Sequence, residues 1–195
     1  MRNNKPEETE YAAYYGGYVS LVPEGDILTI LSEQLNETLS LVQAIPETAG
    51  NFRYAPDKWS VKELFGHIID SERVFAYRAL CIARGDQTPL PGFDEKEYIR
   101  NASFNDCSLA ELIAEFETVR KSTLFLFKHL DENAWQRAGT ANENSITVRA
   151  LAYILAGHER HHCNILRDRY LQSEQFRAVM ESVYGQQRNE QYRER

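Results

Sequence analysis

The chain has 195 residues, 43% of them hydrophobic, with a net charge of −7 and a pI near 5.3. That length suits one domain with a substantial core, and the acidity argues against general binding to nucleic-acid phosphates or anionic lipid. Three cysteines with no CxxC pair give no disulfide framework, no apolar stretch of signal-peptide type opens the chain, and no window approaches a membrane span; the expectation is a soluble, cytoplasmic protein.

Residues 1–23 are rich in tyrosine (Tyr11, Tyr14, Tyr15, Tyr18) and are expected to pack as an arm on the rest of the chain. Residues 24–172 carry four segments of helical periodicity. In the first, from about Glu24 to Ile45, Leu28, Leu31, Leu35, Thr38, Val42 and Ile45 keep to one stripe by steps of three and four, and Pro46 stops the run. The second runs from Ser60 to about Arg84. "SVKE" predicts a capping box between Ser60 and Glu63, with Trp59 and Leu64 placed to staple it. The third opens at Ser108 with "SLAE", another capping box, and its stripe reads Leu109, Leu112, Phe116, Val119, Thr123, Leu126 and Leu130. The fourth runs from about Thr147 to Leu171. Residues 173–195 read as a short helix and a polar tail. No run alternates as a strand should. The predicted fold class is therefore all-α, a four-helix bundle. The long connection between the second and third helices can span the bundle, which predicts an up-down-down-up order.

The fourth helix raises the functional question, because "GHERHHCNIL" holds three of the five histidines. A metal site, a catalytic base and a polar surface compete. His158 and His162 stand four residues apart, so they lie only about 40° apart around a helix and can converge on one ion. They also continue the seam of Leu151 and Leu155, with Ile165 after them, so two imidazoles replace two core side chains. Burying both unpaired would cost several kcal/mol, and a metal would offset that. Glu159 directly follows His158, but the second histidine stands one position too late for the HExxH of zinc proteases. His161 lies off the seam as a flanking group.

A third ligand must come from elsewhere. His67, in "ELFGHIIDSE", faces the same side of the second helix as Leu64 and Ser71, and Glu63 and Asp70 flank it at helical spacing. Either carboxylate could orient its ring or join the ligand set. His129 fits the bland role of a cation at a helix C-terminus. Cys81, Cys107 and Cys163 read as small buried hydrophobes. Trp59 and Phe75 read as core that could also wall a pocket. "PLPGFDEKEY" has the character of a lid, in which Asp94 and Glu95 either touch the site or are solvated.

Taken together, "KWSVKELFGHIIDSERVFAYRAL", "PLPGFDEKEY" and "LAGHERHHCNIL" resemble the DinB/YfiT-like superfamily of small helical metalloproteins, over about Tyr18 to Tyr170. The resemblance rests on the Trp-Ser lead-in to the second helix, the histidine within it, and HxxxH in the fourth. It implies a four-helix bundle with a metal on His67, His158 and His162, the same three that their seams had singled out. Some members of that superfamily are thiol S-transferases using a low-molecular-weight thiol, others carry only the label of metal-dependent hydrolase, and many are homodimers.

Imidazole ligands suit several divalent transition metals, with zinc or nickel expected first. Three protein ligands leave open positions where a thiol is deprotonated or a water acidified. Thiol transfer to an electrophile is the leading expectation, with Arg78 and Arg160 as candidate cations for the carboxylates of the thiol co-substrate. Hydrolysis is the alternative, with Glu63, Asp70 and Glu159 as candidate proton-transfer groups. A non-catalytic protein that binds a metal or small ligand is the third reading. The expected partners are a small-molecule substrate and a second copy of the chain, with neither nucleic acid nor membrane.

Overall fold

Ser60 and Ser108 open two of the four long helices through the reciprocal bonds that their sequences allow. Ser60 Oγ accepts from the Glu63 amide at 3.0 Å, while Glu63 accepts from the Ser60 amide at 2.7 Å. Ser108 and Glu111 repeat the exchange at 3.1 and 2.8 Å. The structure, a computed structural model, describes residues 4–182, so the polar "QQRNEQYRER" lies outside the described residues. Its elements are α1 (Gly16–Leu21), α2 (Ile27–Gln43), α3 (Val61–Ala83), α4 (Glu95–Asn101), α5 (Leu109–Lys128), α6 (Glu132–Gln136), strands β1 (Ala138–Ala141) and β2 (Asn144–Thr147), and α7 (Val148–Ile165). The last helix continues in π-helical form through Leu171, and residues 174–182 are helical.

Helices α2, α3, α5 and α7 form the bundle, in which α3 packs on α5 and α7, and α2 on the same two from the other side. Their directions follow from pairs along their lengths. Gln34 reaches Ala156 and Thr38 reaches Cys163, so α2 and α7 run parallel. Ser60 meets Asn105 and Glu72 meets Arg120, so α3 and α5 run parallel. Arg137, bonded through its carbonyl to the first amide of α7, donates to Ala83 at the end of α3, so α3 and α7 are antiparallel. The order is up-down-down-up. Among the described residues no helix is long and apolar enough to cross a membrane.

Two features depart from the sequence expectation. On α5 the inward stripe is Leu109, Leu112, Phe116, Arg120, Thr123 and Phe127, whereas Val119 and Leu126 are only half-buried. An arginine occupies a core position because two buried carboxylates meet it there. The second departure is a hairpin. β1 and β2 pair through a two-residue turn in which Asn142 and Glu143 both have positive φ, 49° and 64°, the backbone of a tight hairpin. Strands of four residues carry too little alternation to stand out in the sequence.

The N-terminal segment lies across α7. Glu10 accepts from Thr147 at 2.8 Å and from Arg149, and α1 rests its backbone on Gly157. A Cβ at that glycine would stand 2.0 Å from the Tyr18 carbonyl oxygen. Gly157→Ala is therefore expected to lift α1 from α7 and to lower stability by about 1–3 kcal/mol, the usual range for overpacking. Denaturant unfolding checks the size of the effect. Faster proteolysis within residues 4–22, with the bundle left intact, checks the place.

Candidate metal centre

His67 comes from the first turns of α3, and His158 and His162 from the last turns of α7. Because the two helices are antiparallel, these ends meet. All three rings are buried, and one nitrogen from each lies within 4.8 Å of the others. The Nε2 atoms of His67 and His158 face each other at 3.0 Å. Two nitrogens each about 2.0–2.1 Å from a shared zinc-like ion stand roughly 3 Å apart, so the spacing fits a common ion. His162 Nδ1 is buried without a hydrogen-bond partner, and Ser71 Oγ lies 3.5 Å from His67 Nδ1. Neutral nitrogen donors that converge, with one buried ring nitrogen left unpartnered, are what a divalent transition metal needs.

Burial holds the rings neutral. It lowers His67 to about 4 and, with the neighbouring histidines adding to the effect, lowers His162 to about 2 and pushes His158 well below its ordinary 6.5. A proton competes with a metal for a ring nitrogen once the pH falls to that ring's pKa or below. Zinc retention is therefore expected to stay level from pH 8 down to about pH 5, where ordinary imidazoles with a pKa near 6.5 would already release it. Metal content after dialysis across that range is the check.

The other candidates from the sequence are drawn to different partners. The Glu63 carboxylate faces away from the cluster. Against its burial, Arg53, the Ser60 amide and Asn105 hold its pKa below the usual range. Asp70 is half-buried beside Arg73 at 3.5 Å, and burial raises its pKa. Glu159 turns into the bundle centre and accepts from Arg120 at 2.7 Å, Thr38 at 2.7 Å and Gln34 at 3.1 Å. Burial raises its pKa against the pull of Arg120, with Glu72 adding repulsion. Arg160 is half-buried and does not border the cavity at the histidines. His161 stacks edge-on against Tyr18 at 5.3 Å. Cys163 lies 3.3 Å from Thr38, and burial pushes its thiol up to about 12, too high for a nucleophile at neutral pH.

A cavity of about 270 Å³ opens over the triad. Trp59 packs on His67 at 4.8 Å between ring centroids, Phe75 on His158 at 5.7 Å and Tyr18 on His158 at 5.4 Å. Arg78, Phe93, Glu95, Tyr14, Tyr15 and Asn142 complete the walls. These last come mainly from connections. Leu90 bonds to the hairpin through Thr140 and Asn142, Asn142 packs against Gly92, and its side chain donates to Tyr14 at 3.3 Å. Asp94 instead caps α4, accepting from the amides of Lys96 and Glu97. A second cavity, about 470 Å³, reaches His162 between Tyr54, Lys58, Lys96 and Tyr170, and shares Trp59 as a wall with the first. The tyrosine cluster was the sequence signal for the first cavity's outer wall; nothing local marked Asn142.

A family model, the DinB superfamily, matches residues 30–166. The chain belongs to the DinB superfamily. The matched span starts in α2 and includes α3, α5 and all of α7, with all three histidines. Among solved structures, this DinB chain is similar to YfiT from Bacillus subtilis, described as a probable metal-dependent hydrolase with an unusual four-helix bundle topology. The two share 16% identity at a TM-score of 0.62, over 84% of this chain and 92% of that one, a likeness of fold. No protein with a curated description matches the chain.

Proposed function

We propose that this DinB chain holds a divalent ion, zinc or nickel, on His67, His158 and His162, and transfers a low-molecular-weight thiol to a small electrophile. The observation that carries this reading is the meeting of two cavities at His162 with Trp59 between them, since a transfer brings two organic partners to one centre. The cluster has three members among the described residues, which leaves an ion room for a further ligand, whereas structural zinc sites are usually closed by four. A bound ion supplies one property: it lowers the pKa of a coordinated thiol so that the thiolate is present at neutral pH. The chain's own groups do the rest. Trp59, packed on His67, and Phe75 and Tyr18, packed on His158, exclude water around those rings. Burial, with Glu95 nearby, raises the Tyr18 pKa, so its hydroxyl keeps a proton to donate to a bound substrate.

Hydrolysis is the second reading. It is favoured by Glu95, the carboxylate that borders the cavity, while Glu63, Asp70 and Glu159 are engaged elsewhere. The experiment is incubation of the zinc- or nickel-loaded chain with several small thiols and a fluorogenic alkyl chloride. Metal-dependent product that vanishes in His158→Ala is expected. Ester turnover without thiol would replace transfer by hydrolysis. Inertness in both assays would leave a metal- or ligand-binding protein.

A further inference from the structure

We infer that Arg78 is a carboxylate anchor, and that the cavity over the histidines selects small organic acids with an apolar or aromatic body and a single carboxylate. This rests on the cavity being the substrate cavity of the proposed transferase.

Two arginines of the bundle are almost fully buried, and they differ in one respect. Arg120 is met by Glu72 and Glu159. Arg78, 2% exposed, makes no ion pair among the described residues. Its guanidinium donates to the Pro91 carbonyl at 2.7 Å, hydrogen-bonds the neutral Tyr15 hydroxyl, and lies 5.8 Å from the centre of the Phe93 ring. A buried charge without a counter-ion is costly, by several kcal/mol after relaxation. Bonding to a backbone carbonyl needs a donor but no charge; glutamine would serve. The charge is therefore unexplained by the fold, and it borders a cavity.

The position also fits. Arg78 follows His67 by eleven residues, which returns to nearly the same face of α3, about 16 Å further along the axis. Side chains on a helix lean toward its N-terminus, so a long arginine on this face leans back toward the triad. Between them stand Phe75 and Tyr15, edge to face at 6.3 Å. An acid seated there would place its carboxylate on Arg78, its apolar body against these rings, and its far end at the histidines. Glu95 also borders the cavity, but it is exposed and its charge is screened by water.

The test is calorimetric binding of 3-phenylpropanoate and 3-phenylpropanamide, two probes of one shape, to the zinc-loaded and the metal-free chain. Charge-assisted bonds to a desolvated guanidinium predict at least about ten-fold tighter binding of the acid in both forms. Arg78→Gln is expected to bring the ratio to about one, and Arg78→Lys, which keeps the charge, to retain part of it. Equal affinity for acid and amide in the natural chain, or binding of neither, overturns the proposal whether or not the variants fold. A preference seen only with zinc present also overturns it, because the acid then sits on the ion. An acid preference in a chain that transfers no thiol would keep the anchor and sink the transferase.

Discussion

Replacing His158 and His162 with alanine is expected to bring bound metal from about one ion per chain to background, while the helical signal persists. The variant keeps one imidazole of three, and loss of a group that merely supports a ligand already costs roughly 10–100-fold in metal affinity. Alanine favours helix, and both truncations open onto an existing cavity instead of a sealed void. The natural chain should also gain stability from added zinc, by about 2.7 kcal/mol at a hundred times the dissociation constant. The variant should gain none. Plasma mass spectrometry of both proteins, with thermal unfolding alongside, decides the matter. A natural chain that neither carries nor takes up zinc or nickel would reduce the triad to a buried polar patch.

Arg120→Leu is expected to be the most destabilising single substitution in the bundle. Arg120 donates to Glu72 at 2.8 and 2.7 Å, to Glu159 at 2.7 Å and to the Leu31 carbonyl at 3.1 Å, joining all four long helices through one side chain. Its removal leaves two buried carboxylates facing each other. Breaking such a set costs about 3–5 kcal/mol, on the order of 10 °C in melting temperature for a chain of this size. The deficit should shrink in acid. With the cation gone, burial and the repulsion of Glu72 raise the folded-state pKa of Glu159 further above its unfolded value. The folded variant then binds protons more readily than the unfolded one, and its stability rises as pH falls through that window. A variant within 1 kcal/mol of the natural chain at pH 7, or one whose deficit grows in acid, would contradict this account. Glu159 directly follows His158, so the network also fixes the rotation of α7, and weaker zinc binding is expected in the same variant.

The histidine triad was legible because each imidazole sits where an apolar stripe calls for a hydrophobe. Ser60/Glu63 and Ser108/Glu111 marked their helices because a capping box is a local device, closed within four residues. Arg120 was not legible for the opposite reason. Its partners lie 48 and 39 positions away, and in a linear reading a charged residue beside Val119 simply moves the stripe over by one. The cavity walls were legible in part. Tyr14, Tyr15 and Tyr18 announced an aromatic cluster, and the proline-containing connection announced a lid, but their meeting at Asn142 depends on a hairpin too short to show a period.

That meeting point has an evolutionary consequence. The three imidazoles stand on helices whose rotation is fixed by the buried charges beneath them, so the histidine cluster at the cavity floor tolerates little change. The rim is assembled from a leading segment, an inter-helix connection and a two-residue turn, none of which belongs to the four-helix frame. Insertions, deletions and substitutions there can redraw the opening without disturbing the floor. A lineage built on this plan could reshape what enters the cavity through its connections, inheriting its histidine cluster unchanged.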